Sequence, residues 1–277
     1  MTQRRGKICT QLVTGANKGI GFAIVRGLCK QFDGDVILTA RDEDRGMRAV
    51  KDLMKEGLNP LFHKLDISNQ TSIQTLKAFL HKHYGGLDVL VNNAAIGSSL
   101  FANQAVKTLQ VNFWGTLAVY NQLFPLLRPR ARVVTLSSRA STWTYCRCSD
   151  VIKDRIRNPN ITMEQLKELI REFEESAHSD TLEEKGWVKF AYGVSKIGVR
   201  LMSYIQGRDM TKETKKADIL VNACCPGFVN TDMNDHKGTK TIDEGAETPL
   251  YLALLPSDVK SPKGEFIEEK NVTQWPN

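Results

Sequence analysis

Tyr192 and Lys196 are the pair of residues in this chain with the clearest capacity for chemistry. Within Tyr192-Gly-Val-Ser-Lys196 they are four residues apart, which on a helix places both side chains on one face. A free tyrosine titrates near about 10, and a lysine ammonium beside it lowers that pKa. A phenol adjusted in this way can donate a proton to a substrate at neutral pH. The spacing alone fits an ordinary surface pair equally well.

Three polar motifs could join this pair in one site. Ser137-Ser138 closes one candidate strand, Asn92-Asn93 closes another, and Asn112 lies in a helical stretch. Hydroxyl and amide groups at the carboxyl ends of parallel strands face the crevice in which such sheets bind ligands. Each motif taken singly is more often structural than catalytic. Together they predict one catalytic group, composed of Ser138, Tyr192, Lys196 and Asn112.

A glycine-rich turn, Thr14-Gly15-Ala-Asn-Lys18-Gly19-Ile-Gly21, follows the first candidate strand. Glycines allow the backbone to approach a pyrophosphate closely, and the N-terminus of the next helix meets its charge. The spacing is Gly-x-x-x-Gly-x-Gly, which differs from the commoner Gly-x-Gly-x-x-Gly. The turn predicts a dinucleotide site formed by Gly15, Asn17, Lys18, Gly19, Ile20 and Gly21.

Arg41 ends the second candidate strand, about twenty residues beyond the glycine turn, where dinucleotide folds distinguish a ribose from a ribose 2′-phosphate. An acidic residue there selects NAD, whereas Arg41 favours NADP, and Lys18 adds a second cation. Asp42 and Asp44 follow too late to act as the acidic residue. Two solvated cations are the alternative interpretation. We therefore expect NADP(H) as the cofactor.

These residues need a frame in which short strands alternate with amphipathic helices, the pattern of a parallel sheet with crossover helices. We predict a single α/β domain over residues 1–277, built on a doubly wound Rossmann-type parallel sheet of about seven strands with helices on both faces. The candidate strands are Ile8–Val13, Asp35–Thr39, Leu61–Leu65, Leu87–Asn92, Ala131–Ser137, Asp218–Cys224 and Glu265–Glu268. The candidate helices are Gly19–Gln31, Arg45–Glu56, Ser72–His83, Ala102–Leu127, Ala191–Arg208 and Glu244–Leu255.

Residues 146–187 interrupt this alternation. The segment is charged and has a helical pattern from Leu166 to Phe173, with Thr162 and Gln165 spaced to form a capping box. We expect a helical insertion within the domain, placed just before Tyr192, and not a second domain.

Composition and charge narrow the class of protein. The net charge of +7 favours anionic partners, but the chain has no nucleic-acid-binding motif. No apolar run approaches the ~20 residues of a membrane span, and the six cysteines lack metal-binding spacing. We expect a cytoplasmic protein without a nucleic-acid, membrane or metal partner.

Beyond these separate motifs, the chain resembles the short-chain dehydrogenase/reductase superfamily, and within it the group of monomeric cytosolic carbonyl reductases. The resemblance covers nearly the whole chain. It is carried by Thr-Gly-Ala-Asn-Lys-Gly-Ile-Gly, Leu-Thr-Ala-Arg-Asp, Tyr-Gly-Gly-Leu-Asp-Val-Leu-Val-Asn-Asn-Ala, Ala-Tyr-Gly-Val-Ser-Lys-Ile-Gly-Val, Asn-Ala-Cys-Cys-Pro-Gly and Glu-Gly-Ala-Glu-Thr-Pro-Leu-Tyr-Leu-Ala-Leu-Leu-Pro. That group is similar in carrying an insertion just before its catalytic tyrosine, which implies a monomer here.

The resemblance implies that NADPH reduces a small-molecule carbonyl substrate. Tyr192 would donate a proton to the carbonyl oxygen and Ser138 would hold that oxygen. Lys196 would bind the nicotinamide ribose and lower the Tyr192 pKa, and Asn112 would position a water. Further cofactor contacts implied are Asp66, Ile67, Asn92, Pro226, Gly227, Val229 and Thr231. The implied substrate contacts are Ser138, Arg139, Tyr192, Phe228 and Met233.

Some positions depart from the family pattern. Ala95 replaces a glycine, and Phe228 replaces a tryptophan. The loop 96–101 is shorter than in close relatives, which makes glutathione conjugates doubtful substrates. Arg139 stands where relatives carry an apolar residue, and it either favours an anionic carbonyl substrate or points to solvent.

Two other functions fit the same residues. One is a non-catalytic NADP(H)-sensing protein, because a fold does not dictate a function; such proteins typically lose the tyrosine or the lysine, and both are present here. The other is an alcohol or hydroxysteroid dehydrogenase that runs the reverse reaction, since no motif records the direction.

Overall fold

The computed structural model describes residues 9–97, 102–212 and 218–276, without the side chains of 102–104 and 212. Part of the loop 96–101 lies outside these residues, so the prediction about its length stays a prediction.

One sheet organises the described part of the chain. Its strands are ordered β3-β2-β1-β4-β5-β6-β7-β8, and all neighbours are parallel except β7 and β8. The order reverses between β1 and β4, which opens a crevice at the carboxyl ends of these strands. The strands are β1 (Thr10–Val13), β2 (Asp35–Ala40), β3 (Leu61–Lys64), β4 (Leu87–Asn92), β5 (Leu127–Leu136), β6 (Leu220–Cys225), β7 (Phe266–Glu268) and β8 (Asn271–Val272). The predicted doubly wound sheet is confirmed, and the antiparallel β8 is an addition that the sequence did not indicate.

Helices cover the sheet, and most begin within two residues of their predicted positions. They are α1 (Gly19–Gln31), α2 (Glu43–Lys55), α3 (Gln70–Tyr84), α4 (Ala102–Leu109), α5 (Thr116–Leu123), α6 (Arg139–Arg147), α7 (Asp150–Arg157), α8 (Met163–His178), α9 (Ala191–Lys212) and α10 (Ile242–Ala253). The predicted helix over Ala102–Leu127 is confirmed as a continuous helical run that ends at Leu126, but it is not one regular α-helix. A π-helical turn, Gln110–Gly115, separates α4 from α5, and a short 3₁₀ turn, Phe124–Leu126, leads into β5.

The central strands are buried on both faces, as expected of parallel strands between two helical layers. Leu90 and Val91 of β4 point to opposite faces, and neither has any exposed surface. Thr10 and Gln11 of β1 are polar but equally buried. The first strand is therefore held by its place in the sheet more than by apolar composition.

The insertion before Tyr192 is helical, with α7 and α8 inside it. Thr162 and Gln165 form the expected capping box at the start of α8. Phe173 of α8 packs against Trp187, and both belong to a buried cluster that also contains Phe113 and Ile197. The insertion thus shares a hydrophobic core with α9 and the π-helical turn. No helix in the described ranges is long and apolar enough to cross a membrane.

Candidate active site

An open cleft of about 510 Å³ lies at the carboxyl ends of β1, β2, β3 and β4. It is lined by backbone and side chains of the glycine turn, the ends of these strands and the segment after β6. From the cofactor prediction, the lining contains Gly15, Asn17, Lys18, Gly19, Ile20, Gly21, Arg41, Asp66, Ile67 and Thr231. These predicted residues come from four separate segments of the chain, and the fold brings them together at one cleft.

The glycine turn is fixed against the chain that follows β4. Gly15 has φ +62°, and a Cβ there would lie 2.8 Å from the Ala94 Cα, so a larger residue is excluded on both counts. Asn93 donates from Nδ2 to the Thr14 and Gly15 carbonyl oxygens, each at 2.9 Å. Thr14 Oγ1 in turn accepts from the Asn93 and Ala94 backbone N–H groups at 3.0 Å. These bonds hold the floor of the cleft before any ligand binds.

Asn93, and not the predicted Asn92, lines the cleft. Asn92 is buried beneath the cleft and is not among its lining residues, and its Nδ2 donates to Thr135 Oγ1 at 3.4 Å. Asn93 lines the cleft instead. Side chains alternate in direction along a strand and its end, so adjacent asparagines cannot both face the same side.

Three cations border the cleft at its outer end. Lys18 pairs with Asp232 at 2.5 Å, which closes the glycine turn onto the segment after β6. Arg45, which the sequence reading did not single out, lines the cleft beside Arg41 and pairs with Asp42 at 3.6 Å. Among the described residues no ion pair involves Arg41. Its guanidinium is therefore the cation that is free to meet a phosphate.

The segment that follows β3 forms another part of the cleft wall. Asp66 accepts from the Ser68 N–H at 2.9 Å and from the Ser68 hydroxyl at 2.6 Å, while its own N–H donates to Ser72 Oγ at 3.0 Å. These bonds orient the carboxylate at the start of α3. Ile67 presents an apolar surface next to it.

Ser138 and Tyr192 meet at the carboxyl end of β5. Ser138 caps α6, its Oγ accepting from the Ala140 N–H at 3.1 Å, and its side chain lies close enough to the Tyr192 phenol to lower the pKa of that phenol. Ser137 points inward and donates to the Lys196 carbonyl oxygen at 2.8 Å. This geometry makes Ser138, and not Ser137, the hydroxyl available beside Tyr192.

Burial controls the pKa values of Tyr192 and Lys196 on α9. It raises the pKa of Tyr192 to about 12, with the Cys225 thiol adding to the rise and Ser138 opposing it. It lowers the pKa of Lys196 to about 8. Lys196 Nζ lies 5.5 Å from the Tyr192 ring centroid and donates to the Leu136 carbonyl oxygen at 2.8 Å. The Tyr192 pKa is thus shifted upward overall, opposite to the direction expected from Lys196, because desolvation is the largest cause and Lys196 is not among the causes.

Asn112 lies in the π-helical turn and its side chain is fully used. Its Oδ1 accepts from the Ile96 N–H at 2.9 Å, and its Nδ2 donates to the Ile96 carbonyl oxygen at 3.0 Å and to Ser195 Oγ at 3.1 Å. Ser195 donates to the Tyr192 carbonyl oxygen at 2.7 Å. The amide therefore ties the cleft wall after β4 to the helix that carries Tyr192. A water held by this residue would have to bind its backbone carbonyl, which also accepts from Thr116 Oγ1 at 2.8 Å.

The segment after β6 divides between cleft and interior. Met233 lines the cleft and is 50% exposed, and Phe228 is 53% exposed. Pro226 and Gly227 lie beyond the cleft lining, and Val229 is buried. The sequence did not predict a role for Cys225 in the site. Its Sγ accepts from the backbone N–H of Arg139 at 3.3 Å and from that of Gly227 at 3.4 Å. It thereby couples this segment to Ser138.

Arg139 is exposed and paired with Glu268 through Nε and Oε2 at 3.3 Å. Of the two expectations for this residue, the structure places its guanidinium toward solvent and partly neutralises it. Because its partner is 129 residues away in sequence, only the fold could reveal the pair.

Comparison with known proteins places this geometry in a family. The short chain dehydrogenase family model matches residues 10–149. The chain belongs to the short chain dehydrogenases. It is 52% identical to "Carbonyl reductase (NADPH) 1" of Bos taurus, over 96% of this chain and 98% of that protein. It is 50% identical to the Homo sapiens protein of the same name, over 95% and 97%.

Among solved structures, the fold of this short chain dehydrogenase is similar to salutaridine reductase from Papaver somniferum. The TM-score is 0.84 at 27% sequence identity, covering 93% of this chain and 99% of that one. The family membership agrees with the sheet order, the glycine turn and the Tyr192–Lys196 pair derived above.

Proposed function

We propose that this chain is an NADPH-dependent carbonyl reductase that converts a small-molecule ketone, aldehyde or quinone into an alcohol. The single observation that carries the proposal is the Ser138–Tyr192–Lys196 group at the carboxyl end of β5, beside the nucleotide cleft. Similarity to carbonyl reductases over nearly the whole chain supports the same reaction. NADPH supplies a hydride to the carbonyl carbon, and the protein must supply a proton and hold the oxygen.

The residues present fit this cofactor. The glycine turn and the N-terminus of α1 suit a pyrophosphate, and Arg41 with Arg45 and Lys18 suits a 2′-phosphate. Asp66 and Ile67 offer a polar and an apolar contact for the adenine end. An uncharged or acidic residue at position 41 would remove the basis for choosing NADP over NAD.

Tyr192 is the proton donor in this proposal. Its raised pKa keeps the phenol protonated across the neutral range, so it holds the proton that the carbonyl oxygen needs as negative charge develops there. Ser138 donates a second hydrogen bond to that oxygen. Lys196 lies beside the phenol, with Nζ 5.5 Å from the ring centroid, where it would bind the nicotinamide ribose.

Asn112 is a positioning residue. Its three hydrogen bonds fix the distance between the cleft wall at Ile96 and the start of α9. We further propose that the protein acts as a monomer in the cytoplasm, with residues 146–187 as an insertion within one domain. The buried cluster shared by α8 and α9 supports the single domain.

Cofactor choice tests the assignment of Arg41. We expect Arg41→Asp to raise the NADPH dissociation constant by about 100-fold, since it removes a charge-assisted hydrogen bond and adds repulsion. The NADH constant should change less than about threefold. Both constants are measured by titration of nucleotide fluorescence. The matched control is Arg48→Asp, because Arg48 lies on α2 about one turn beyond Arg45 and does not line the cleft. Equal losses for NADPH and NADH would contradict the 2′-phosphate contact.

A further inference from the structure

A row of three side chains in contact, Phe190, Trp143 and Arg147, extends from the proposed proton donor, Tyr192. The Phe190 ring centroid lies 6.0 Å from that of Tyr192, and the Trp143 ring lies 5.5 Å from Phe190 in an edge-on arrangement. The Arg147 guanidinium stacks 3.8 Å from the Trp143 ring. Two aromatic faces and a cation therefore form one continuous surface that begins at the catalytic group.

Local structure fixes this surface firmly. Trp143 and Arg147 are four residues apart on α6, which begins at Ser138, so both lie on one helix face. Phe190 immediately precedes α9. A Cβ on Gly193 would clash with Thr144 Oγ1 and lie 2.7 Å from Phe190 Cδ1. The absence of a side chain at Gly193 therefore lets α6 and Phe190 approach each other beside Tyr192.

Part of this surface is open to a ligand. Trp143 is 45% exposed, with the Arg147 guanidinium 3.8 Å from its ring centroid. Packing of α6 alone does not explain a large ring directed outward next to a catalytic residue. Because the two rings are nearly perpendicular, a flat ring packed face to face on one of them would meet the other edge-on, and its carbonyl would be directed toward Ser138 and Tyr192.

The arginines near this surface indicate which chemical group the other end of such a ligand would carry. Arg139, which directly follows Ser138 in the sequence, is paired with Glu268. Arg147 donates only to the Trp143 carbonyl oxygen, at 3.3 Å, and no ion pair involves it within the described ranges. Arg147 is thus the cation on this surface that is available to an anionic group.

We propose that Trp143 and Phe190 determine substrate specificity by stacking against the ring of an aromatic carbonyl compound, and that Arg147 selects those rings that carry a carboxylate away from the carbonyl. This inference rests on the proposed reductase function and names its preferred substrate class. A small molecule fits better than a protein, because two rings and one cation fall far short of a stable protein interface.

Three aldehydes separate the contributions: 4-carboxybenzaldehyde, its methyl ester, and propanal, which has no ring. For Trp143→Ala and Phe190→Ala we expect KM to rise about tenfold for both aromatic aldehydes, the loss of about one stacking contact. The kcat/KM for propanal and the NADPH dissociation constant should not change. Trp143→Leu provides a second variant that retains apolar bulk and folds in the same way.

Arg147→Gln should raise KM about tenfold for 4-carboxybenzaldehyde only, and the difference from wild type should shrink at high salt. Arg171→Gln is the matched control, because Arg171 also stacks on a tryptophan, Trp114 at 5.5 Å, but on α8. No effect of Arg147→Gln on the acid, or an equal effect on the ester, would overturn the carboxylate preference.

The remaining outcomes distinguish failure of this inference from failure of the proposed reductase function on which it rests. If wild type reduces none of the three aldehydes, the proposed function fails. Calorimetric binding of 4-carboxyacetophenone to wild type and Trp143→Ala then still tests the surface formed by Trp143, Phe190 and Arg147. Equal losses for propanal and the aromatic aldehydes would make Trp143 and Phe190 structural. A dimer that Trp143→Ala dissociates in sedimentation velocity would assign the surface to a second copy and overturn the proposal.

Discussion

Tyr192→Phe is expected to lower kcat by about 10³-fold, because it deletes the only group proposed to supply the proton and general acids contribute 10²–10⁴-fold. The ring and its packing remain, so the NADPH dissociation constant and the unfolding midpoint should match wild type. Single-turnover oxidation of NADPH measures the loss without a contribution from product release.

Tyr145→Phe is the matched control for this variant. Tyr145 is buried, and its hydroxyl has no hydrogen-bond partner among the described residues. Removal of that hydroxyl should therefore leave kcat unchanged. Comparable turnover in Tyr192→Phe and wild type would remove Tyr192 from its role.

Burial also sets the pH dependence of this step. Since the Tyr192 pKa is raised to about 12, the phenol keeps its proton between pH 6 and about 9. Loss of activity in alkaline solution should instead follow Lys196, whose pKa is lowered to about 8.

Lys196→Met is expected to stabilise the protein while it abolishes most turnover. Lys196 is 4% exposed, and the difference between its ordinary pKa of 10.5 and about 8 corresponds to about 3 kcal/mol at pH 7. Loss of the hydrogen bond to the Leu136 carbonyl offsets about 1 kcal/mol. The free energy of unfolding should rise by about 2 kcal/mol.

The lowered pKa of Lys196 determines how the stability difference between Lys196→Met and wild type changes with pH. Between pH 8 and 10.5 the unfolded chain keeps the Lys196 proton and the folded chain loses it. The unfolded state binds more protons over this range, so wild-type stability rises with pH. The advantage of Lys196→Met should therefore be largest below pH 8 and be lost by pH 10.5. Urea unfolding at pH 7 and pH 10, with the exposed Lys189→Met as control, measures both. A lower stability of Lys196→Met than wild type at pH 7 would contradict the cost of the buried ammonium.

Motifs with a fixed local geometry were predictable from the sequence. The glycine turn and α1 occur where expected, because Gly15 and the α1 sequence determine their own backbone. The capping box of Thr162 and Gln165 is likewise a local property. The doubly wound parallel sheet followed from the alternation of strands and helices, which leaves few topologies, whereas its strand order comes from the structure.

Features that depend on tertiary contacts were not predictable. The π-helical turn around Asn112 differs from an α-helix by a slight change of pitch that no periodicity reveals. The extension of β5 back to Leu127 depends on its pairing with Leu87. Neither the Arg139–Glu268 pair nor the extent to which burial shifts the Tyr192 pKa can be read from one segment alone.

The central claim is that this chain reduces carbonyl groups with NADPH. Oxidation of NADPH, followed at its nicotinamide absorbance against quinones, aromatic aldehydes and ketones with NADH in parallel, tests it most directly when the alcohol product is quantified. We predict one alcohol formed for each NADPH consumed and much slower turnover with NADH. NADPH binding without consumption by any of these carbonyls would contradict the claim and favour a non-catalytic nucleotide sensor.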